Sequence, residues 1–176
     1  RLLVYKAAHD AATMKAVVDA LAEAHQVQQI YHKQVIFRGD SLMAGQASEE
    51  ISNYPFQVLL KRPEWRIFNI GVGGQRLAEM IARDGTGVDP LFDASLDENV
   101  LAILAGTNDI GGEGVTGAQC FARLQQWCQE RKAAHPWNTR VMTLLARTGG
   151  AFMSAITAHN ALVRAGDPAM DRVVDV

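Results

Sequence analysis

The sequence predicts an α/β protein, a parallel sheet of about five strands with helices on both faces. Three observations lead there. Short runs rich in Val, Ile and Leu recur at Val35 to Phe37, Arg66 to Ile70, Val100 to Ala105, Arg140 to Leu145 and Arg172 to Val176. These runs show little apolar–polar alternation, as strands buried on both faces do. Longer segments of helical character separate them, and the first three runs each lead into a small polar or glycine-bearing turn.

Taken in order, residues 1–33 stand apart as an N-terminal amphipathic extension, and residues 34–176 form the main domain. In the extension, Met14, Val17, Val18, Leu21 and Ala22 make an apolar stripe with Lys15, Asp19 and Glu23 opposite. Such a stripe is a helix face in search of a partner. Packing on its own domain is expected, with a homo-oligomer contact as the other use for it. Helices are then predicted over Gln46 to Leu60, Gln75 to Arg83, Ala118 to Ala134 and Ala151 to Arg164. The third is the best defined. Cys120, Phe121, Leu124, Trp127 and Cys128 follow a helical stripe, Thr116 is an N-cap candidate and Pro136 stops continuation.

The bulk properties exclude several classes. The chain has 176 residues, 48% hydrophobic and 20% charged, which fits one globular domain with a single core. A formal net charge of −2, with no long Lys/Arg run, leaves no electrostatic footprint for nucleic acid. No apolar stretch approaches the roughly 18 residues of a membrane span. No signal peptide is read in the chain, and its compartment is left open. Cys120 and Cys128 lie about 12 Å apart along one helix, too far for a disulfide, so both are expected as buried thiols. No His-Glu-x-x-His or Cys-x-x-Cys occurs and the histidines lack ligand spacing, so neither a metal nor an organic cofactor is expected.

The turns after the first three strands carry the groups that acyl transfer requires. Ser41, in Gly39-Asp40-Ser41-Leu42, is a hydroxyl at the exit of a buried strand, where ligands gather in open parallel sheets. Gly71 to Gly74, in Asn69-Ile70-Gly71-Val72-Gly73-Gly74, lets backbone N–H groups approach a reacting oxygen. Asn108, in Gly106-Thr107-Asn108-Asp109, offers a side-chain amide to developing negative charge. Each turn has a plainer reading. Asp40 and Ser41 suit a strand exit and a helix N-cap, the glycines suit a tight turn, and Asn108-Asp109 suits a cap or Asx-turn. Order and shared position at strand exits favour the chemical reading.

These turns resemble three of the four blocks of the SGNH (GDSL) hydrolases, in the family's order, over roughly residues 35 to 176. The resemblance implies a flavodoxin-like three-layer α/β/α sandwich and ester hydrolysis without a metal or organic cofactor. It implies Ser41 as nucleophile, an oxyanion hole from the backbone N–H groups of Ser41 and Gly74 and the Asn108 side chain, and Asp40 and Asp109 in support. A small acyl ester is the expected substrate. The family's fourth block, Asp-x-x-His, supplies the base and its orienting acid, and no histidine here has Asp three positions before it. Position −3 is Lys6 for His9, Ala22 for His25, Gln29 for His32, Lys132 for His135 and Ile156 for His159.

The expectation is therefore that the Asp-His pair lies beyond residue 176 and that residues 1–176 alone are inactive or nearly so. His159 as an internal substitute is disfavoured by its mid-helix position. The runner-up reading is an SGNH-like domain without catalysis that binds acylated carbohydrate or a partner protein. A nucleotide-binding domain ranks third, because Gly71-Val72-Gly73-Gly74-Gln75-Arg76 breaks G-x-G-x-x-G at its last glycine.

Overall fold

The computed structural model describes residues 31–46, 53–146 and 150–176. The N-terminal extension up to residue 30 lies outside them. Five strands form one sheet: β1 (Lys33–Gly39), β2 (Arg66–Asn69), β3 (Glu98–Leu104), β4 (Asn138–Met142) and β5 (Arg172–Val174). Their spatial order is β2-β1-β3-β4-β5 and every neighbouring pair is parallel. This is the flavodoxin-like order, with its topological switch between β1 and β3. Val35 at the centre of β1 lies opposite Ile67 on one side and Val100 on the other.

Each strand starts earlier or ends sooner than its apolar run. β1 begins with Lys33 and Gln34, β3 with Glu98 and Asn99, and β4 with Asn138. These polar residues hide the strand starts from a hydrophobic pattern, yet they pair with one another across the sheet's amino edge. Gln34 donates to Asn99, Lys33 meets Glu98 at 2.5 Å, and Asn138 donates to Glu98 at 2.9 Å.

The helices are α1 (Ser41–Ala44), α2 (Tyr54–Lys61), α3 (Leu77–Gly87), α4 (Gly117–Ala134) and α5 (Gly150–Ala165). On β1, Val35 and Phe37 face one way and Ile36 and Arg38 the other, by the alternation of a strand. α2 serves the first face, where Tyr54 meets the Phe37 ring edge-on at 5.5 Å. α3, α4 and α5 pack side by side on the second. The core comprises Ile36, Leu101, Ile103, Leu124, Trp127 and Val141 among others, each at most 1% exposed.

One expectation from the sequence changes. The helix expected over Gln46 to Leu60 has a later start in its described part. Asn53 is extended at φ −69° and ψ 148° and caps α2, its side chain accepting the Phe56 N–H at 2.9 Å, with Pro55 in the first turn. Asn53 to Phe56 is thus a helix entry. Thr116 does cap α4, in a reciprocal capping box with Gln119.

Candidate active site

The three sequence blocks emerge side by side, because β2, β1 and β3 are adjacent strands and all run the same way. Ser41 follows β1 directly and is the first residue of α1. Asp40, 1% exposed, is the cap of that short helix, accepting the Leu42 N–H at 2.9 Å. The capping role therefore falls to Asp40 and not to Ser41. The Ser41 hydroxyl is half-buried and has no hydrogen-bond partner among the described residues.

The turn after β2 is stitched onto the turn after β1. The Val72 N–H donates to Gly39 O at 2.9 Å, the Ile70 N–H to Phe37 O at 2.9 Å, and Asn69 Nδ2 to Met43 O at 3.0 Å. A Cβ on Gly71 would sit 2.5 Å from Ala44 N, so glycine is what lets this turn lie against α1. Gly74 has φ +76°, which a residue with a side chain rarely adopts, and a Cβ there would meet nothing within 4 Å. Gly71 is required by contact; Gly74 is required by backbone conformation at an open surface.

The third block closes on the second. Asn108 Nδ2 donates to Gln75 O at 3.0 Å, which occupies one of its two amide hydrogens. Asp109 is fully buried and caps α3 from outside, accepting the Leu77 N–H at 3.0 Å, and it also receives Arg123 Nη1 at 2.7 Å. Asp40 and Asp109 thus hold helix entries beside Ser41 and Asn108. Sequence reasoning anticipated Asp109 as a cap, but for the helix after it rather than for α3.

The glycine-rich stretch after Asn108 is not a free loop. Asp109–Glu113 forms a π-helical turn. Glu113 pairs with Arg76 at 3.0 Å and with Arg123 at 2.5 Å, and the hydrogen bond from Arg123 holds its carboxyl below the usual carboxylate range. Arg76, Glu113 and Arg123 went unnoticed in the sequence, where nothing links residues so far apart. Arg38 had a visible signal, a charge at the end of an apolar strand. It is 3% exposed and forms a two-pronged pair with Asp84, at 2.8 and 2.9 Å.

No described histidine serves Ser41. His32 precedes β1 and His135 precedes β4, which places both at the opposite, amino edge of the sheet. His32 contacts Asp97 at 3.2 Å, and His135 stacks on Phe92 at 4.7 Å. His159 is fully buried where α4 and α5 meet, edge-on to Phe121, and neither ring nitrogen has a hydrogen-bond partner among the described residues. Burial lowers its pKa to about 4, against weaker opposing pulls from the Gly117 backbone and the Asp109 charge. Cys120 and Cys128 are free, buried thiols pushed up to about 12 by burial, as inert small side chains should be.

A groove of about 300 Å³ on the α2 side of the sheet, lined by Val35, Tyr54, Trp65, Ala102 and Met142, contains none of the three block residues. It is apolar but holds no nucleophile. Among the described residues no group of His, Cys, Asp and Glu could hold a metal ion, and no helix is long and apolar enough to cross a membrane.

The sheet order 2-1-3-4-5 invites comparison with solved structures. Lipolytic proteins and esterases share the fold. The chain superposes on a member of the lipolytic protein G-D-S-L family from Veillonella parvula with TM-score 0.68 at 16% identity, covering 81% of this chain and 77% of that one. An acetylxylan esterase from Geobacillus stearothermophilus gives 0.61 at 17%, covering 77% and 71%. The psychrotrophic esterase EstA from Pseudoalteromonas sp. gives 0.61 at 16%, covering 82% and 77%. No protein-family model and no curated protein matches the chain. The chain therefore has the fold of the GDSL lipolytic proteins and esterases.

Proposed function

We propose that the protein is a serine ester hydrolase of the SGNH type acting on small acyl esters. The observation that carries this is the convergence of Ser41, Gly74 and Asn108 at the exits of three adjacent strands, tied together through Gly39, Met43 and Gln75. In this reading Ser41 Oγ attacks the ester carbonyl carbon and its proton passes to a base. The carbonyl π electrons move onto oxygen, which the N–H groups of Ser41 and Gly74 and the second amide hydrogen of Asn108 receive. Collapse expels the alcohol, which takes a proton from that base, and leaves an acyl-serine that water then hydrolyses. The base is not one of the described histidines, none of which adjoins Ser41.

Added imidazole offers a base from solution, which makes a direct test. With a short-chain aryl ester, the chain should show hydrolysis that rises with imidazole above that of its Ser41→Ala variant. Equal rates for the two proteins at every imidazole concentration would overturn the assignment. One observation favours a second reading, a binding domain for acylated carbohydrate or a partner protein: none of the described histidines adjoins Ser41. A fluorophosphonate that labels Ser41 speaks for the hydrolase. The Pseudoalteromonas neighbour was solved inhibited by monoethylphosphonate, which makes the phosphorus probe apt.

A further inference from the structure

We infer that Arg38 and Gln75 are positioning residues for the oxyanion donors, acting through the turn at residues 71–75; the inference rests on the hydrolase reading above. A guanidinium buried to 3% exposure on a central strand costs several kcal/mol unless it is paired. Asp84 on α3 meets that need, taking Arg38 Nε and Nη2 in a two-pronged pair, and Trp127 Nε1 on α4 fixes the same carboxylate at 2.8 Å. Charge balance requires nothing more, yet Arg38 reaches further. Its Nη1 donates to Gln75 Oε1 at 2.7 Å and to Ile70 O at 3.2 Å, at both ends of the turn that presents Gly74.

Gln75 joins this brace to the site. It is 5% exposed, and its N–H closes the turn on Val72 O at 3.2 Å. Its side chain accepts from Arg38, while its carbonyl accepts Asn108 Nδ2 at 3.0 Å. One residue therefore sets both the Gly74 turn and the rotation of the Asn108 amide. That amide spends one hydrogen on Gln75 and keeps the other for the reacting oxygen. Donors of this kind lose much of their effect when displaced by about 1 Å, so a rigid anchor under them has a chemical role beyond packing.

The test reads Asn108 itself and needs no turnover. In ¹⁵N-labelled protein, the Asn108 side-chain amide is assigned by its loss in Asn108→Ala. Gln75→Leu removes the acceptor for Arg38 at similar size, and Gln75→Glu keeps one. In Gln75→Leu the Asn108 amide protons should move toward the shifts of a free asparagine side chain and exchange about tenfold faster, the loss expected for one hydrogen bond. Gln75→Glu should restore them. An Asn108 amide unchanged in folded Gln75→Leu, or equally disturbed in both variants, overturns the inference. If Gln75→Leu does not fold, Arg38→Lys gives the reading, since it keeps a charge facing Asp84 but loses the Nη1 donor to Gln75. Failure of the hydrolase reading would show separately, as hydrolysis indifferent to Ser41→Ala.

Discussion

The two edges of the sheet are built on opposite principles. At the amino edge, polar groups pair densely with one another. Arg66 donates to Gln34 at 2.8 Å and to Asp93 at 2.7 Å, Glu98 takes Lys33, Asn138 and Arg140, and Asp171 takes Lys132 and the Thr139 N–H, each at 2.7 Å. At the carboxyl edge of β2, β1 and β3, hydrogen bonds fix the backbone of each turn but stop short of its outermost groups. Ser41 Oγ has no partner among the described residues, Gly74 faces open space, and Asn108 uses one amide hydrogen of two. The amino edge is densely paired, though Asn138 Oδ1 and Arg140 Nε stay without partners among the described residues; the carboxyl edge leaves a hydroxyl and an amide hydrogen at its strand exits.

The sharpest way to break this contrast is to remove a donor from the open edge. Asn108→Ala is expected to lower Ser41-dependent ester hydrolysis by about 10²–10³ while the urea midpoint stays near that of the parent chain. A large loss of stability with no change in rate would make Asn108 a structural residue and erase the distinction between the edges.

The next effect comes from between the edges, at the α4–α5 contact. His159 has a folded pKa of about 4 against an ordinary 6.5, so the unfolded chain binds its proton first as pH falls. Stability is then fully present above pH 6.5, declines through the window from 6.5 to about 4, and is lost below it; a shift of that size is worth on the order of 3 kcal/mol. Urea unfolding across this window should show the decline, and His159→Leu should flatten it. An unchanged slope in His159→Leu would place the acid sensitivity elsewhere.

The smallest effect is expected at the closed edge. Arg66→Ala should cost about 1–2 kcal/mol by denaturation, because it strips partners from Gln34 and Asp93, and should leave the hydrolysis rate unaltered. Burial alone would raise the Asp93 carboxyl, but hydrogen bonds from Ser95 and Arg66 outweigh it and bring its pKa to about 2. That contribution is present above pH 3.8 and fades toward 2, so the variant should lose part of this acid limb. A fall in rate after Arg66→Ala would mean the two edges are coupled through the sheet.

Much of this was legible in the residues because it rests on local rules. Apolar runs separated by helical stripes specify a buried parallel sheet, and Thr116 with Gln119 specifies the α4 entry whatever the rest of the chain does. The placement of Ser41, Gly74 and Asn108 at strand exits could be read because a strand exit is a local event, and each block follows its strand within a few residues. Strand starts were read late at Gln34, Asn99 and Asn138, since polar residues carry no hydrophobic signal until their partners are known. The helix read from Gln46 to Leu60 ran across Asn53 for the same reason: a cap competes with helix propensity only once its N–H partner is in place.

The sequence by itself determined the α/β class, the order of the blocks and the side of each strand on which they fall. Periodicity and turn chemistry act over a few residues and survive without tertiary context. Only the tertiary structure decided that β1 lies between β2 and β3, which brings Ser41 between Gly74 and Asn108. It alone decided that Arg38 turns to Asp84 and Gln75, that Asp109 caps α3, and that His159 is sealed between helices away from solvent. Those outcomes depend on contacts between residues tens of positions apart, paired only when the whole chain closes around them.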